Sequence, residues 1–235
     1  MGRSRKNARL YFVWLQDLSA LEVAMTQSVF QKRYQEKAVP LLKEKFSFKN
    51  IHEVPRIERA VINVGVGRLV TQRRGAPVGK KVVKGEEDMV RDITEAVAAI
   101  SGQKAQIVRS KKSIASFKLR QGMINGVKVT LRGKRMRDFF VRFIDVSLAR
   151  TRDFRGIASS AVDSCGNLTV GVKESVIFPE LAEANTMFGM EVTFVTSAHS
   201  RETGLALFEA MGVPFGKDSE LVKVPKIALK VRKLS

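Results

Sequence analysis

Residues 104–137 carry eleven lysines and arginines and no aspartate or glutamate. A folded surface normally mixes the two signs, because a row of like charges repels itself. The whole chain shares the bias, with 42 Lys and Arg against 23 Asp and Glu and a formal charge of +19. Such a chain attracts a polyanion, and RNA phosphates are the usual one. An anionic membrane surface fits less well, since no basic helix here has an opposite face rich in Trp, Phe or Leu.

The hydrophobic pattern predicts strands and helices in mixed order. Strands are predicted at Ile57–Val66, Gln106–Val108, Ser113–Leu119, Val127–Leu131, Leu168–Val172 and Met190–Val195. Helices are predicted at Val29–Phe46, Glu86–Ile100, Met136–Leu148 and Glu202–Met211. Pro40 is expected to kink or split the first helix. Because no regular βαβ repeat is present, we expect an α+β fold, an antiparallel or mixed sheet with helices packed on one face.

Basic extensions flank the predicted domain, which covers residues 27–216. Residues 1–26 begin with Arg3, Arg5, Lys6 and Arg9, and are equally compatible with an organelle-targeting segment and an RNA-bound tail. Residues 217–235 form a second basic tail, and residues 71–87 are predicted to be a surface loop.

Motifs of catalysis or cofactor binding are incomplete. The Gly65-Val66-Gly67 segment begins like a dinucleotide fingerprint, but Val70 stands at the third glycine position. Residues 75–81 resemble a phosphate loop with one spacer too few. Two histidines and one cysteine, far apart in sequence, make a zinc site or an activated nucleophile improbable. We therefore expect no catalytic residue, no metal and no cofactor, and a chain that is not an enzyme.

Seven segments resemble the ribosomal protein five family of the large subunit, the 5S-rRNA-binding protein, in its bacterial form. They are residues 54–59 (VPRIER), 62–67 (INVGVG), 99–104 (AISGQK), 111–122 (KKSIASFKLRQG), 127–133 (VKVTLRG), 152–156 (RDFRG) and 177–180 (IFPE). They occur in the family's order and span about residues 30–216. The resemblance implies one sheet backed by helices, and a structural place in the central protuberance of the large subunit.

The resemblance also implies partners and the residues that meet them. The set facing 5S rRNA falls on Arg59, Asn63, Gln103, Phe117 and Thr130. Independently of the resemblance, the basic stretch at residues 104–137 adds Lys104, Lys118, Arg120 and Arg132 as expected rRNA contacts. A loop at Ser110–Ser116, with Ser110, Lys111, Lys112 and Ser113, is expected to face P-site tRNA. A bridge to a small-subunit head protein is expected near Arg150–Gly156, on Arg150, Arg152, Asp153 and Arg155. Neighbouring large-subunit proteins complete the expected partners.

Three regions depart from the family pattern: the longer N-terminus, an enlarged segment at residues 71–85, and the tail after Phe215. Basic extensions of this kind favour an organellar ribosome, mitochondrial ahead of chloroplast, with the bacterial cytoplasm as a further alternative. In an organelle, a substitute for ordinary 5S rRNA is an open alternative. A non-ribosomal RNA-binding or ribosome-assembly factor with the same fold is the competing function, and an enzyme the third.

Overall fold

A computed structural model describes residues 29–67, 86–117, 119–152, 154–181 and 187–216. The predictions for residues 1–26, for the loop at residues 71–85 and for residues 217–235 lie outside this description. Among the described helices, none is both long enough and apolar enough to cross a bilayer.

Five strands form one antiparallel sheet in the order β2-β3-β1-β5-β4. The strands are β1 (Ile57–Gly65), β2 (Gln106–Arg109), β3 (Ile124–Arg132), β4 (Leu168–Val172) and β5 (Met190–Thr196). Five of the six predicted strands are confirmed. The long central pairings join segments far apart in sequence, so the sheet draws both halves of the chain into one body.

Helices cover one face of the sheet, and the predicted α+β class is confirmed. They are α1 (residues 29–46), α2 (Glu86–Ser101), α3 (Gly133–Arg142) and α4 (Arg201–Ala210). Alternate side chains of β1, β3 and β5 point into this layer and are buried, as Ala60, Ile62 and Val64 of β1 are. Phe139 and Phe140 of α3 lie with their ring centroids 6.1 and 5.1 Å from Phe194 of β5. Burial of each such ring contributes roughly 2–3 kcal/mol.

The first helix passes Pro40 without being split. Its middle part, Arg33–Ala38, is π-helical, and Val39–Phe46 continues as α-helix. The backbone N–H of Val39 donates to the carbonyl of Tyr34, five residues earlier. Proline lacks an N–H and its ring clashes with the carbonyl four residues before it. The wider π-turn ahead of Pro40 moves that carbonyl out of the α-helical register, so the helix remains continuous.

The predicted strand at Ser113–Leu119 is wrong. Among the described residues of this segment, only Ile114 and Leu119 exchange backbone hydrogen bonds, at 3.0 and 3.1 Å, and a 3₁₀ turn at Ala115–Phe117 lies between them. Serine hydroxyls account for the difference, since they satisfy backbone groups locally in place of a strand ladder. Ser110 Oγ donates to the Lys112 carbonyl (2.7 Å), and Ser113 Oγ accepts from the Gln121 N–H (3.0 Å).

Candidate RNA interface

The sheet face opposite the helices is open to solvent, and its side chains form rows across the strands. One row holds Thr130 of β3, Val61 of β1, Thr193 of β5 and Thr169 of β4. The next row holds Gln106, Lys128, Asn63, Glu191 and Gly171. We call this surface the open face. It offers hydroxyl, amide and charged groups on a rigid backbone, a composition suited to contacts with phosphate, ribose and base edges.

Two arginines lie directly opposite each other at one end of the open face. Arg59 of β1 pairs in register with Arg132 of β3, and both are exposed. Like charges at directly opposed positions destabilise a sheet. Within the described part of the chain, no carboxylate lies within salt-bridge distance of either guanidinium. The pair therefore concentrates positive charge that an anion would neutralise.

Asn63 and Thr130 lie on the same face, as the resemblance implies. Asn63 is exposed between Lys128 and Glu191, and Thr130 is half-buried beside Val61. Among the described residues, neither side chain has a hydrogen-bond partner in the protein. The amide and the hydroxyl are thus available to an external donor or acceptor.

Gln103 lies at the edge of this face and is held in place by its neighbours. Its Nε2 lies 3.5 Å from the Thr130 carbonyl oxygen, and its Oε1 lies 3.5 Å from Arg135 Nη1. Ser101, only 3% exposed, fixes the turn before it: the hydroxyl donates to the Val97 carbonyl (2.7 Å) and accepts from the Gln103 N–H (3.3 Å). The end of α2 thereby places Gln103 against β3.

Of the remaining predicted rRNA residues, Lys104 lies between α2 and β2, and the others lie in the connection between β2 and β3. Lys104 is exposed just before β2, and Arg120 is exposed after Leu119. Phe117 ends the 3₁₀ turn, and Lys118 lies outside the described residues. The structure thus brings Arg59, Asn63, Gln103, Thr130 and Arg132 together, and leaves Lys104 and Arg120 on adjoining surface.

The predicted tRNA-facing loop is the tip of a hairpin between β2 and β3. Ser110 N–H donates to the Met123 carbonyl (2.8 Å) and its own carbonyl accepts from Gly122 N–H (2.9 Å), which extends the pairing toward the tip. Lys111, Lys112 and Ser113 are all exposed. The two lysines therefore stand on a hydrogen-bonded projection.

The predicted bridge residues lie at the other edge of the sheet. Arg150 and Arg152 line a hollow of about 510 Å³ beside the edge strand β4, together with Phe154 and Val170. Arg155 is exposed, and Asp153 lies outside the described residues. Because β4 and β2 are opposite edges, this group is separated from the hairpin tip by the width of the sheet.

Sequence reasoning did not include several open-face residues in the site. They are Gln106, Thr169, Glu191 and Thr193. The alternation within the predicted strands was the available signal, since it identifies which residues share a face. The order of the strands, which decides whether those faces join, was not readable from that pattern.

Comparison with known proteins gives a consistent family. The family model described as ribosomal protein L5 matches residues 50–120, and the model of the same family's C-terminus matches residues 124–215. A large ribosomal subunit protein uL5 from Halothermothrix orenii is 40% identical over 192 residues, 81% of this chain and 99% of that protein. The proteins of the same name from Prochlorococcus marinus (strain NATL1A) and Dichelobacter nodosus are 44% and 46% identical, each over 79% of this chain and 97% of the relative. With this identity over nearly the full length of its relatives, the chain belongs to the ribosomal protein L5 family.

Proposed function

We propose that the chain is a structural constituent of the large ribosomal subunit and that its open face binds rRNA, with 5S rRNA as the main partner. The opposed pair of Arg59 and Arg132, unpaired with any described carboxylate and next to Asn63 and Thr130, carries the proposal. Phosphate contacts at the arginines position the RNA, and the amide and hydroxyl read ribose and base edges. The role is structural, and none of these steps is catalytic.

The hairpin tip at Ser110–Ser116 is proposed to contact P-site tRNA. Lys111 and Lys112 are exposed there, and the hydrogen bonds of Ser110 and Ser113 hold the backbone that carries them. A projection of this kind can bring two ammonium groups to the tRNA phosphate backbone while the open face of the sheet binds rRNA.

The cationic group at the β4 edge is proposed to face a small-subunit head protein. Arg150 and Arg152 are exposed at a partly apolar hollow, a combination typical of protein interfaces, and Arg155 is exposed nearby in sequence. Its position at the far edge leaves both the open face and the hairpin tip accessible to RNA at the same time.

A mitochondrial location is also proposed. The relatives named above are matched over 97–99% of their length, whereas 79–81% of this chain is matched. The basic residues 1–26 then serve as a targeting segment. Import of the full chain into isolated mitochondria, with and without residues 1–26, tests this, and equal import of both forms contradicts it.

The open face is tested with the double variant Asn63→Ala, Thr130→Ala. Affinity for 5S rRNA should fall while the thermal transition stays nearly unchanged, since neither side chain has a described partner. The control is Glu36→Ala, Glu44→Ala, two exposed residues of α1 outside the open face. Equal loss in both variants, or an early melt of the first, contradicts the assignment. Co-sedimentation with large subunits through high salt separates a ribosomal constituent from a free assembly factor.

A further inference from the structure

A cleft of about 520 Å³ opens between α1, the start of β1 and the start of α3. This volume is within the range of about 300–1,000 Å³ that ligand sites occupy. Its polar lining consists of Gln31, Tyr34 and Gln35 from α1, Arg56 and Glu58 beside and in β1, and Arg132 and Arg137 on the other side. We call it the arginine cleft. Three arginines and one glutamate thus line the cleft.

The backbone that carries Arg56 is fixed from two sides. Tyr34 Oη donates to the Pro55 carbonyl (3.3 Å), which ties this segment to α1. Arg56 N–H donates to Ser197 Oγ (3.0 Å), and Ser197 N–H donates to the Arg56 carbonyl (3.0 Å). Burial raises the pKa of Tyr34, and the positive charge of Arg56 partly offsets this rise. The site is therefore pre-organised on one side.

Two arginines elsewhere in the fold pair with carboxylates, whereas those of the cleft have no carboxylate partner among the described residues. Arg33 of α1 makes two hydrogen bonds of 2.9 Å to the Asp145 carboxylate. Arg142 of α3 pairs with Glu180 and also donates to the Ile100 carbonyl (3.0 Å). In the described part of the chain, Arg56, Arg132 and Arg137 have no such carboxylate. Their charge is left for an external anion.

Arg132 belongs to two surfaces. It lies opposite Arg59 at the end of the open face, and it also lines the arginine cleft. An RNA strand that runs along the open face to Arg59 and Arg132 is therefore next to the cleft. Guanidinium groups bind phosphate in a bidentate manner, and the amides of Gln31 and Gln35 add neutral donors.

From this continuity we propose that the arginine cleft holds the sugar-phosphate backbone of an rRNA segment distinct from the one on the open face. The proposal rests on the proposed function, because Arg132 joins the two surfaces. Arg56 and Arg137 then bind RNA that Asn63 and Thr130 do not touch. A single RNA helix on the open face alone leaves these two arginines without a role.

The test is hydroxyl-radical footprinting of the full chain on deproteinised large-subunit rRNA and on 5S rRNA. The variant Arg56→Gln, Arg137→Gln should lose one group of protected nucleotides and keep the rest. Its affinity should fall about 10- to 100-fold, as expected for the loss of two charge-assisted contacts. The slope of log K against log salt should fall by about 1.4–1.8. The charge-matched control Lys49→Gln, Lys173→Gln, two exposed residues outside the cleft, should keep every protection.

Each outcome decides between two explanations of the cleft. Loss of the same nucleotides in Arg56→Gln, Arg137→Gln and in Asn63→Ala, Thr130→Ala overturns a separate contact. If the lysine control loses as much RNA affinity as the arginine variant, the cleft contributes only general positive charge. If polyglutamate binds more tightly than RNA and this binding needs Arg56 and Arg137, the partner of the cleft is an acidic protein instead. Should the glutamine variant melt early, Arg56→Lys, Arg137→Lys keeps the charge and should retain the protections partly. If Asn63→Ala, Thr130→Ala changes neither protection nor affinity while Arg56→Gln, Arg137→Gln does, the open-face proposal fails and the cleft proposal is kept.

Discussion

The two halves of the sheet share one core and carry opposite charges. On the open face, β3 and β1 present Arg59, Lys128 and Arg132, whereas β5 presents Glu191 and β4 presents no lysine or arginine. The sequence shows the same division. Residues 104–137 hold eleven cations and no anion, and residues 157–216 hold seven anions and two cations. A chain of formal charge +19 therefore contains an acidic part.

The buried face shows no such division. Leu131, Ala60, Phe194 and Leu168 form one apolar row that runs through β3, β1, β5 and β4. Close packing of these residues decides the fold, and the charges on the opposite face have little part in it. Because both halves share the same kind of core, the difference in charge between their open-face residues is what distinguishes the partners that each half can bind. We therefore expect RNA to bind the basic half, because the negative charge of the acidic half repels phosphate.

The largest effect is expected from removing the charge of the basic half. The variant Arg59→Gln, Lys128→Gln, Arg132→Gln should lose on the order of 3–4 kcal/mol of rRNA binding, from about three charge-assisted contacts. The wild-type slope of log K against log salt should exceed about 4 in magnitude, and the variant's should be lower by about 2–3. Binding titrations between 0.05 and 0.3 M salt (roughly the range in which the slope is linear) measure both.

The same variant should be slightly more stable than the wild type. Removing the opposed charges of Arg59 and Arg132 relieves a cross-strand repulsion worth up to about 1 kcal/mol. Urea unfolding measures this. If the variant binds RNA as tightly as the wild type, these three residues do not contact RNA. If it is less stable, the arginines stabilise the fold. Either result contradicts the assignment of RNA binding to the basic half.

Sequence patterns predicted the core face better than the partner face. Periodicity located β1, β3, β4 and β5, because alternate burial leaves a local signature. It did not show that Glu191 adjoins Asn63, or that Arg56 and Arg137 share a cleft, since both depend on contacts between distant segments. The strand predicted at Ser113–Leu119 failed because serine hydroxyls compete with the ladder. Asn63 and Thr130 were found through the family resemblance and Arg132 through the basic stretch at residues 104–137, and the structure brings them together.

The second effect concerns packing in the acidic half. A Cβ at Gly204 of α4 would lie 2.4 Å from the Gly166 Cα, a backbone atom with no rotamer to yield. Gly204→Ala should lower the free energy of unfolding by about 2 kcal/mol, since overpacking costs about 1–3 kcal/mol and better helix propensity returns part of it. Thermal denaturation measures the loss. Gly171→Ala, where the added Cβ meets nothing within 4 Å, is the control.

This substitution also separates folding from binding. Because the close contact of Gly204 lies in the acidic half, RNA affinity per folded molecule should be unchanged by Gly204→Ala. A parallel loss of affinity and stability would instead show that the two halves are coupled through the core. In that case the open face does not act independently of the packing beneath it.

The third effect tests the hairpin tip of the basic half. Lys111→Ala with Lys112→Ala should leave assembly into the large subunit intact and weaken tRNA retention in the P site. The expected change is on the order of 1–2 kcal/mol, typical of a few charge-assisted contacts. Quantifying the variant in purified subunits and then measuring tRNA dissociation tests it. Loss of incorporation assigns the lysines to rRNA, and unchanged dissociation removes the tRNA contact.

The smallest effect is expected at Asp163, in the turn that leads into β4. Its carboxylate accepts from the Asn167 backbone N–H (2.7 Å) and from Asn167 Nδ2 (2.9 Å). Burial raises the pKa of Asp163, but the hydrogen bonds from Asn167 and from neighbouring backbone groups outweigh it and lower the pKa below the ordinary value. A group with a lowered pKa in the folded state stabilises the fold when ionised. The acidic half is thus predicted to lose stability in acid.

The sign fixes the pH window. The contribution of Asp163 should be complete above the unfolded-state pKa of about 3.9 and should disappear as pH falls through the lower, folded-state value. Asp163→Asn should therefore be less stable than the wild type near neutral pH, by less than about 1 kcal/mol because the side chain is exposed. Urea unfolding from pH 7 to pH 3 measures the difference, and the ¹³C shift of the carboxyl carbon gives the pKa directly. A difference that grows in acid, or a carboxyl that titrates above its ordinary range, would mean that the turn is held by its backbone hydrogen bonds and that the charge of Asp163 contributes nothing to this half.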